Sequence, residues 1–285
     1  MRVLISPSIE NFDLVEKHFE DIVFDKTYSH NLRFIFTENG PKVLYKDMDC
    51  KNYDLAWISS YWTTQDLAYA LHLYLERNSI PHTKVKRAGS KIVDHMVFSL
   101  NNIPSPNTFF RNSTIPKKYL DEAEETCGYP MVIKDTMGCR GRNSHLVHNR
   151  KELEKATLEL PEGHKFMFQQ YIPNEYDWGV LVSRGKVVAA EKSFPKKGEF
   201  RNNACNGAKE VFVDVKECPD NVKEIAVKAA TALNLNWCRS DIVVDKNRKR
   251  PYLLEVNRYP GITKGTDEVK AVVKFMKELT QKFKS

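Results

Sequence analysis

Short apolar segments typical of buried β-strands alternate with helical segments through the first 90 residues. Val3 to Ser6 and Tyr53 to Ser59 are predicted strands. Between Thr64 and Arg77, leucines recur every four residues, which places them on one face of an amphipathic helix. This alternation predicts a small α/β domain over residues 1–90, followed by a second domain over residues 91–285.

The composition is that of an ordinary globular protein. The chain has 285 residues, of which 41% are hydrophobic and 28% are charged. These fractions exclude disordered, collagen-like and coiled-coil chains, and the length corresponds to about two domains of roughly 150 residues each. No apolar run approaches the roughly 20 residues that span a bilayer. The short apolar stretch at the N-terminus is predicted to be a first strand rather than a signal peptide.

Cysteine spacing indicates the cellular compartment, and net charge indicates which class of partner the chain favours. The six cysteines are dispersed without a CxxC pair, which argues against a zinc cage and a disulfide framework and predicts a cytoplasmic protein. The chain has 44 lysines and arginines against 37 aspartates and glutamates, a net charge of +7. This excess favours anionic partners, such as nucleotides, phosphorylated metabolites or nucleic acid, without distinguishing among them.

A loop rich in glycine and arginine follows a predicted strand that ends at Lys134. The loop contains Gly138, Arg140, Gly141 and Arg142. Glycines let backbone N–H groups approach phosphates, and the cations neutralise them. The segment has neither the Gly-Lys-Ser/Thr ending of a Walker loop nor a GxGxxG fingerprint. A β-turn with solvated arginines is therefore the alternative interpretation.

A strand that runs into a proline bend at residues 168–173 is a second candidate binding segment. Its backbone groups could contact the edge of a base, and an acid shortly after the bend could bind ribose hydroxyl groups. Without its neighbours, the segment is more typical of an ordinary strand end and loop.

Two apolar strands in the last third of the chain each contain a carboxylate. Asp241 begins the segment that runs to Val244, and Glu255 lies in the next strand with Asn257 two residues later. Because side chains alternate along a strand, Glu255 and Asn257 point the same way. Carboxylates beside an amide oxygen form a site suited to Mg²⁺. Pairing with lysines would also explain acids inside apolar strands.

Two arginines accompany these carboxylates. Arg201 lies in the segment from Glu199 to Asn203, and Arg258 directly follows the second carboxylate strand. Arginines near a metal cluster suit the transfer of phosphoryl charge, although either one could equally be a surface residue.

In order and spacing, these segments resemble the ATP-grasp superfamily, and most closely its RimK-type carboxylate–amine ligases. The strongest parts are Glu199-Phe200-Arg201-Asn202-Asn203 and Leu254-Glu255-Val256-Asn257-Arg258-Tyr259-Pro260-Gly261, which are similar to that family's EFR-x-N and LEVN-x-x-PG motifs. The resemblance covers about residues 90–265 and implies an α/β (α+β) fold, an ATP-grasp domain preceded by a pre-grasp α/β domain. The ATP-grasp domain would divide into a central subdomain over about residues 115–175 and a metal-binding subdomain over about residues 176–285.

The resemblance also implies a role for each candidate residue. The phosphates of ATP would contact Lys134 and the loop residues Gly138, Arg140 and Gly141. Adenine would contact the hinge residues Gln169, Gln170, Tyr171 and Ile172. Asp177 would bind the ribose, and Lys192 would lie near the nucleotide. Asp241, Glu255 and Asn257 would hold Mg²⁺, usually two ions in this family, with Mn²⁺ as a substitute. Arg201 and Arg258 would stabilise the acylphosphate or the tetrahedral intermediate.

The chain differs from the family pattern at three places. Asp94-His95 stands where the family often has Asp-Lys with a nucleotide-binding lysine, and Gln169-Gln170 replaces the hinge glutamate. Trp178 stands where RimK-type members usually carry an arginine after the aspartate. The tryptophan indicates a different substrate.

The resemblance therefore implies an ATP-dependent ligase that joins a carboxylate to an amine, such as an amino acid, a peptide or a protein terminus. Two alternatives remain at this point: an ATP-grasp kinase acting on a polyol phosphate or another hydroxyl substrate, and a non-catalytic nucleotide-binding regulator. No membrane partner is expected. A nucleic-acid partner lacks a supporting aromatic–basic motif, and homo-oligomerisation is left open.

Overall fold

The computed structural model describes residues 1–60, 64–85, 90–111, 119–136, 138, 143–161, 164–202 and 206–281. The chain forms two compact units. The first unit contains Met1–Gly89 and Arg258–Ser285, and the second contains Ser90–Asn257. None of the described helices is long and apolar enough to cross a membrane.

Short strands build most of the first unit. Its elements before residue 90 are β1 (Arg2–Ser6), α1 (Asp13–Glu16), β2 (Val23–Lys26), β3 (Leu32–Thr37), β4 (Gly40–Tyr45), β5 (Met48–Asp49), β6 (Leu55–Ile58) and α2 (Gln65–Arg77). Strands β2, β1 and β6 pair in parallel in that order, and β3, β4 and β5 form an antiparallel sheet. Leu71 and Leu75 of α2 are fully buried beside Leu4, so the predicted helix face is the one that packs on the sheet.

The second unit contains a smaller and a larger sheet. Its elements are α3 (Lys91–Leu100), β7 (Thr108–Phe110), α4 (Leu120–Cys127), β8 (Met131–Asp135), β9 (His145–Val147), α5 (Arg150–Leu158), β10 (Phe166–Gln170), β11 (Asp177–Ser183), β12 (Lys186–Phe194), β13 (Lys209–Val213), α6 (Asp220–Ala232), β14 (Trp237–Val244) and β15 (Pro251–Asn257). The smaller sheet has the order β7-β10-β8-β9 and the larger one the order β13-β12-β11-β14-β15. Single 3₁₀ turns lie at Ser29–Asn31, Cys50–Asn52 and Val215–Glu217.

One face of the larger sheet is covered by α6. Val222, Ala226 and Ala229 of this helix are fully buried against Val180 and Ile242 of the sheet. Since side chains alternate along each strand, the odd-numbered residues of β11 and β14 lie on the opposite face. That second face carries the polar side chains described below.

The C-terminal segment groups with the first unit. Helix α7 (Asp267–Gln281) belongs to that unit, and its Phe275 ring lies 5.1 Å from the ring of Trp57, centroid to centroid. The Asn11 side chain donates a 2.8 Å hydrogen bond to the Ile262 carbonyl. The second unit thus ends at Asn257, inside the range of residues 91–285 that the sequence predicts for the ATP-grasp domain.

Candidate functional site

Four cross-strand neighbours form a row on the open face of the larger sheet. Gly179 of β11 pairs with Glu191 of β12 on one side and with Asp241 of β14 on the other. Asp241 in turn pairs with Glu255 of β15. Residues directly opposite one another share a face of a sheet, so three carboxylates and one glycine lie side by side across four strands.

A β-bulge aims Glu255 at this row. The pairing of β14 with β15 shifts register between Asp241 and Ile242, which leaves Leu254 as the extra residue. Bulges of this kind redirect side chains and often lie next to active sites. Leu253 and Val256 pack in the core beneath the sheet, while Leu254 packs with Ile172 in a separate apolar cluster. Glu255 therefore lies opposite Asp241 rather than being turned toward the core.

The two carboxylates titrate differently. Burial and the adjacent Glu255 raise the pKa of Asp241 well above its usual value, while Arg239 acts in the opposite direction. Burial also acts to raise the pKa of Glu255, but the Lys91 and Lys134 ammonium groups outweigh it and hold that pKa below its usual value. The negative charge of Glu255 is thus compensated by two lysines, whereas the negative charge of Asp241 is destabilised by Glu255.

The donor set at this point of the row fits a hard divalent cation. Asn257 donates a 2.9 Å hydrogen bond to Asp241 Oδ2, so the amide lies beside the two carboxylates. A cation would relieve the crowding that raises the pKa of Asp241. Within the described ranges, no group of three or more His, Cys, Asp or Glu side chains is arranged to hold a metal. Two carboxylates and one amide oxygen suit Mg²⁺, which usually keeps water and phosphate ligands as well.

Lys134 points into the same region from the smaller sheet. Its Nζ donates a 2.6 Å hydrogen bond to Gln169 Oε1. The Gln169 amide then donates to Thr108 Oγ1 at 3.0 Å and to His95 Nε2 at 3.4 Å. Burial and the nearby Lys134 lower the pKa of His95 to about 4, which keeps its ring neutral and able to accept this bond. The Gln169 side chain thus orients the lysine.

Lys91 is a site residue that the sequence interpretation missed. It is the first residue of α3, and its Nζ lies 3.0 Å from the Gly138 carbonyl and 3.7 Å from Glu255 Oε2. The family pattern places a nucleotide-binding lysine at position 95, where this chain has histidine. Ser90 caps the helix by accepting a hydrogen bond from the Val93 N–H. This capping serine is visible in the sequence, and it indicates that the helix begins at Lys91.

The predicted hinge lies against one end of the carboxylate strands. Ile172 is buried with Val243 and Tyr252, and Leu254 packs against them. The Gln170 N–H donates to the Asn107 carbonyl at 2.8 Å, and the Tyr171 N–H donates to the Pro130 carbonyl at 3.0 Å. Any hinge contact to an adenine ring must therefore use other backbone groups.

Asp177 is held by two amide side chains. Asn174 donates to its Oδ1 at 2.7 Å, and Asn202 donates to the same atom. Burial raises the pKa of Asp177 to about 7, although the hydrogen bond from Asn202 and the charge of Lys134 act to lower it. Asn202 thereby connects the Glu199–Asn203 motif to the first residue of β11.

The remaining candidates lie in different places. Arg201 forms a two-point ion pair with Glu199, with distances of 2.9 Å and 2.7 Å, and this pairing lowers the pKa of Glu199 to about 2. Arg258 belongs to the first unit, where its carbonyl accepts a hydrogen bond from Ser59 Oγ. Arg140 and Gly141 lie outside the described residues, whereas Gly138 lies beside Lys91.

Lys192 and Trp178 lie on the opposite face of the larger sheet from the carboxylate row. They are cross-strand partners, and the Lys192 Nζ lies 4.9 Å from the Trp178 ring centroid. Trp178 is buried in the core beneath α6. The structure therefore does not bring Lys192 together with the other nucleotide candidates, and Glu191 and Gly179 are the residues that face the row instead.

Comparisons with known proteins identify the family. The model of the RimK-like ATP-grasp domain matches residues 88–279. The chain is a member of the RimK-like ATP-grasp family. A protein named probable alpha-L-glutamate ligase from Vibrio vulnificus strain YJ016 is 29% identical in an alignment of 237 residues, and the match covers 79% of this chain and 75% of that protein.

Solved ATP-grasp ligases have the same fold as this RimK-like chain. The structure of the ligase PsnB with minimal precursor, Mg and ADP has a TM-score of 0.67 and 14% identity, and the match covers 98% of this chain and 97% of that one. The D-alanine–D-alanine ligase of Bacillus anthracis complexed with ATP has a TM-score of 0.65 and 16% identity, over 99% and 97% of the two chains. As a member of the family, the chain is an ATP-dependent ligase that forms an amide bond and uses ATP with Mg²⁺.

We expect nucleotide binding by the RimK-like chain to depend on pH through the charge of Lys134. Burial and the nearby Lys91 lower the pKa of Lys134 to about 8, so the side chain loses its positive charge as the pH rises past that value. We expect the affinity for Mg·ADP to fall about fivefold or more between about pH 7 and pH 9, because phosphates bind the protonated amine. Calorimetry at constant ionic strength measures this change. An equal pH dependence in Lys134→Met would contradict the assignment.

Proposed function

We propose that this ligase phosphorylates a carboxylate substrate to an acylphosphate and then joins it to an amine, with L-glutamate as one of its two substrates. The observation that carries the proposal is the convergence of Lys91 and Lys134 on the Asp241–Glu255 pair, since both lysines hold the pKa of Glu255 low. Two cations beside two carboxylates suit the binding of a metal–polyphosphate complex.

The proposed reaction has two steps that balance. In the first, a substrate carboxylate oxygen attacks the γ-phosphorus of ATP, so an O–P bond forms while the bond to the β-phosphate oxygen breaks and ADP leaves. In the second, the amine attacks the acyl carbon, a C–N bond forms, the bond to the phosphate oxygen breaks, and the amine gives up a proton. No side chain needs to become a covalent nucleophile.

The residues of the chain would act by binding and neutralising charge. Lys134 and Lys91 would bind the phosphates, and Gln169 would keep the Lys134 ammonium oriented through its 2.6 Å hydrogen bond. Asp241, Glu255 and Asn257 would hold Mg²⁺, and we propose two ions. The metal supplies a Lewis acid for the transferring phosphoryl group. Asp177 and the segment from Gln169 to Ile172 would contact the nucleoside, and Arg201 and Arg258 would stabilise the acylphosphate.

The substrate proposal rests on the related proteins. The matched Vibrio vulnificus protein is named a probable alpha-L-glutamate ligase, and PsnB was solved with its precursor peptide PsnA2. A peptide that offers a carboxylate, together with L-glutamate as the amine, is thus the first substrate pair to test. The net charge of +7 suits acidic substrates of this kind. We place the reaction in the cytoplasm because the dispersed cysteines favour a reducing compartment.

Trapping with hydroxylamine tests the proposal. The chain is incubated with ATP, Mg²⁺ and a panel of peptides and amino acids, and hydroxylamine replaces the amine. We expect ADP, phosphate and a hydroxamate to form in equal amounts with at least one carboxylate. A stable phosphoester would indicate a kinase instead, and nucleotide binding without turnover on the whole panel would indicate a regulator.

A further inference from the structure

Next to the carboxylate row, an arginine reaches across a strand to a buried glutamate. Arg239 lies on β14 and Glu191 on β12, with β11 between them. The Arg239 Nη1 atom nevertheless lies 3.0 Å from Glu191 Oε1. Both side chains are largely enclosed, with 15% and 6% of their surfaces exposed. An enclosed ion pair is costly to form unless its geometry is well satisfied, so this pair contributes little to stability by itself.

Gly179 makes this reach feasible. It lies on β11 directly opposite Glu191. A Cβ atom added at Gly179 would lie 2.4 Å from Glu191 Oε1 and 2.8 Å from its Cγ atom. The glutamate therefore occupies the space above the glycine, and any side chain at position 179 would displace it. Glu191 thus holds the Arg239 guanidinium in a defined position, and only glycine at position 179 leaves room for the Glu191 side chain.

The position of Arg239 follows from the order of residues along β14. Val243 packs with the hinge residue Ile172, Asp241 lies in the carboxylate row, and Arg239 is two residues further on the same face. A nucleotide with its base at the hinge directs its terminal phosphate away from the hinge. Arg239 therefore lies on the far side of the carboxylates, where the second reactant must approach.

From this order, the geometry points to Arg239 as the residue that binds the substrate carboxylate, with Glu191 and Gly179 as its positioning residues. The inference rests on the proposed function. A guanidinium suits this task because its N–H groups match the two oxygens of a carboxylate. The contact would also bring a negatively charged substrate toward the phosphates despite the three carboxylates of the row.

The decisive variant is Glu191→Gln/Arg239→Gln, which removes both charges of the pair together and leaves neither one buried alone. In the hydroxamate assay, we expect the KM for a peptide ending in glutamate to rise at least tenfold, while the KM for ATP stays within twofold. Arg239→Lys should restore part of the affinity, because it keeps the charge but loses the paired N–H groups. Gly179→Ala should raise the same KM by displacing Glu191. Arg248→Gln, in the exposed turn between β14 and β15, is the matched control and should leave both KM values unchanged.

Calorimetry with Mg·ADP present separates this inference from the proposed function. L-glutamate and the same peptide are titrated into wild type and the double variant, with no turnover required. Binding to wild type that is lost in a variant with unchanged thermal unfolding supports the assignment, even where wild type forms no hydroxamate. Equal binding to both proteins, binding to neither, or an equal rise in the KM for ATP would overturn it.

Discussion

Glu255→Gln and Asp241→Asn are each expected to lower turnover at least about a hundredfold, equivalent to about 2.7 kcal/mol of transition-state stabilisation. Each substitution removes one negative charge from the site proposed to hold Mg²⁺. Glu255→Gln also leaves Lys91, whose Nζ lies 3.7 Å from the Glu255 carboxylate, without that counter-charge. The shapes of the side chains are unchanged, so the loss reports charge rather than packing. Steady-state ADP release at saturating Mg²⁺ measures the effect.

The control for these two variants is Glu224→Gln. Glu224 is an exposed residue of α6, the helix that covers the opposite face of the same sheet. This variant should keep wild-type turnover, which excludes a general effect of lowering the acidity of the unit. Near-normal turnover in both Glu255→Gln and Asp241→Asn would remove these carboxylates from the proposed metal site.

Lys134→Met is expected to weaken Mg·ADP binding at least about tenfold, or about 1.4 kcal/mol, while the thermal unfolding temperature stays close to that of wild type. The ammonium group would contribute a charge-assisted contact to a phosphate. Its removal costs the fold little, because the lowered pKa of Lys134 shows that the charge is held at some expense. Gln169 retains its hydrogen bond to Thr108. Isothermal titration calorimetry measures the affinity.

Lys151→Met provides the comparison, since Lys151 is an exposed residue of α5 in the same unit. Nucleotide affinity should be unchanged in this variant. If Lys134→Met also binds Mg·ADP with wild-type affinity, then the lysine serves only to satisfy Gln169, and Lys91 becomes the principal candidate for phosphate binding.

Local patterns in the sequence were enough to predict α2. The leucine spacing predicted a helix over residues 64–77, and α2 spans Gln65–Arg77. Such patterns are local, because the core side of a helix is encoded in residues three and four positions apart. The grouping of α7 with residues 1–89 was harder to predict from the sequence, since the packing of Phe275 on Trp57 joins residues more than 200 positions apart.

Within the site, the sequence identified the residue types but not the direction in which every side chain points. Asp241, Glu255 and Asn257 come together as predicted from their strands. The segment Ala189-Ala190-Glu191-Lys192 was interpreted with the lysine facing the nucleotide, whereas Glu191 faces the row. A shift of one residue reverses every side chain of a strand, and β12 carries a register irregularity of its own. Charge alone could not decide which of two adjacent ionisable residues pointed inward.

The grouping of Arg258–Ser285 with Met1–Gly89 has a consequence for synthesis on the ribosome. The second unit is one uninterrupted stretch and can complete its contacts once residue 257 has emerged. The first unit cannot complete its contacts at that point, because Trp57 packs against Tyr259 and Phe275, which are synthesised later. At about 5–20 residues per second, the middle of the polypeptide is expected to mature before its beginning. Strands β1, β2 and β6 then remain exposed to chaperones and proteases until α7 has emerged from the ribosome.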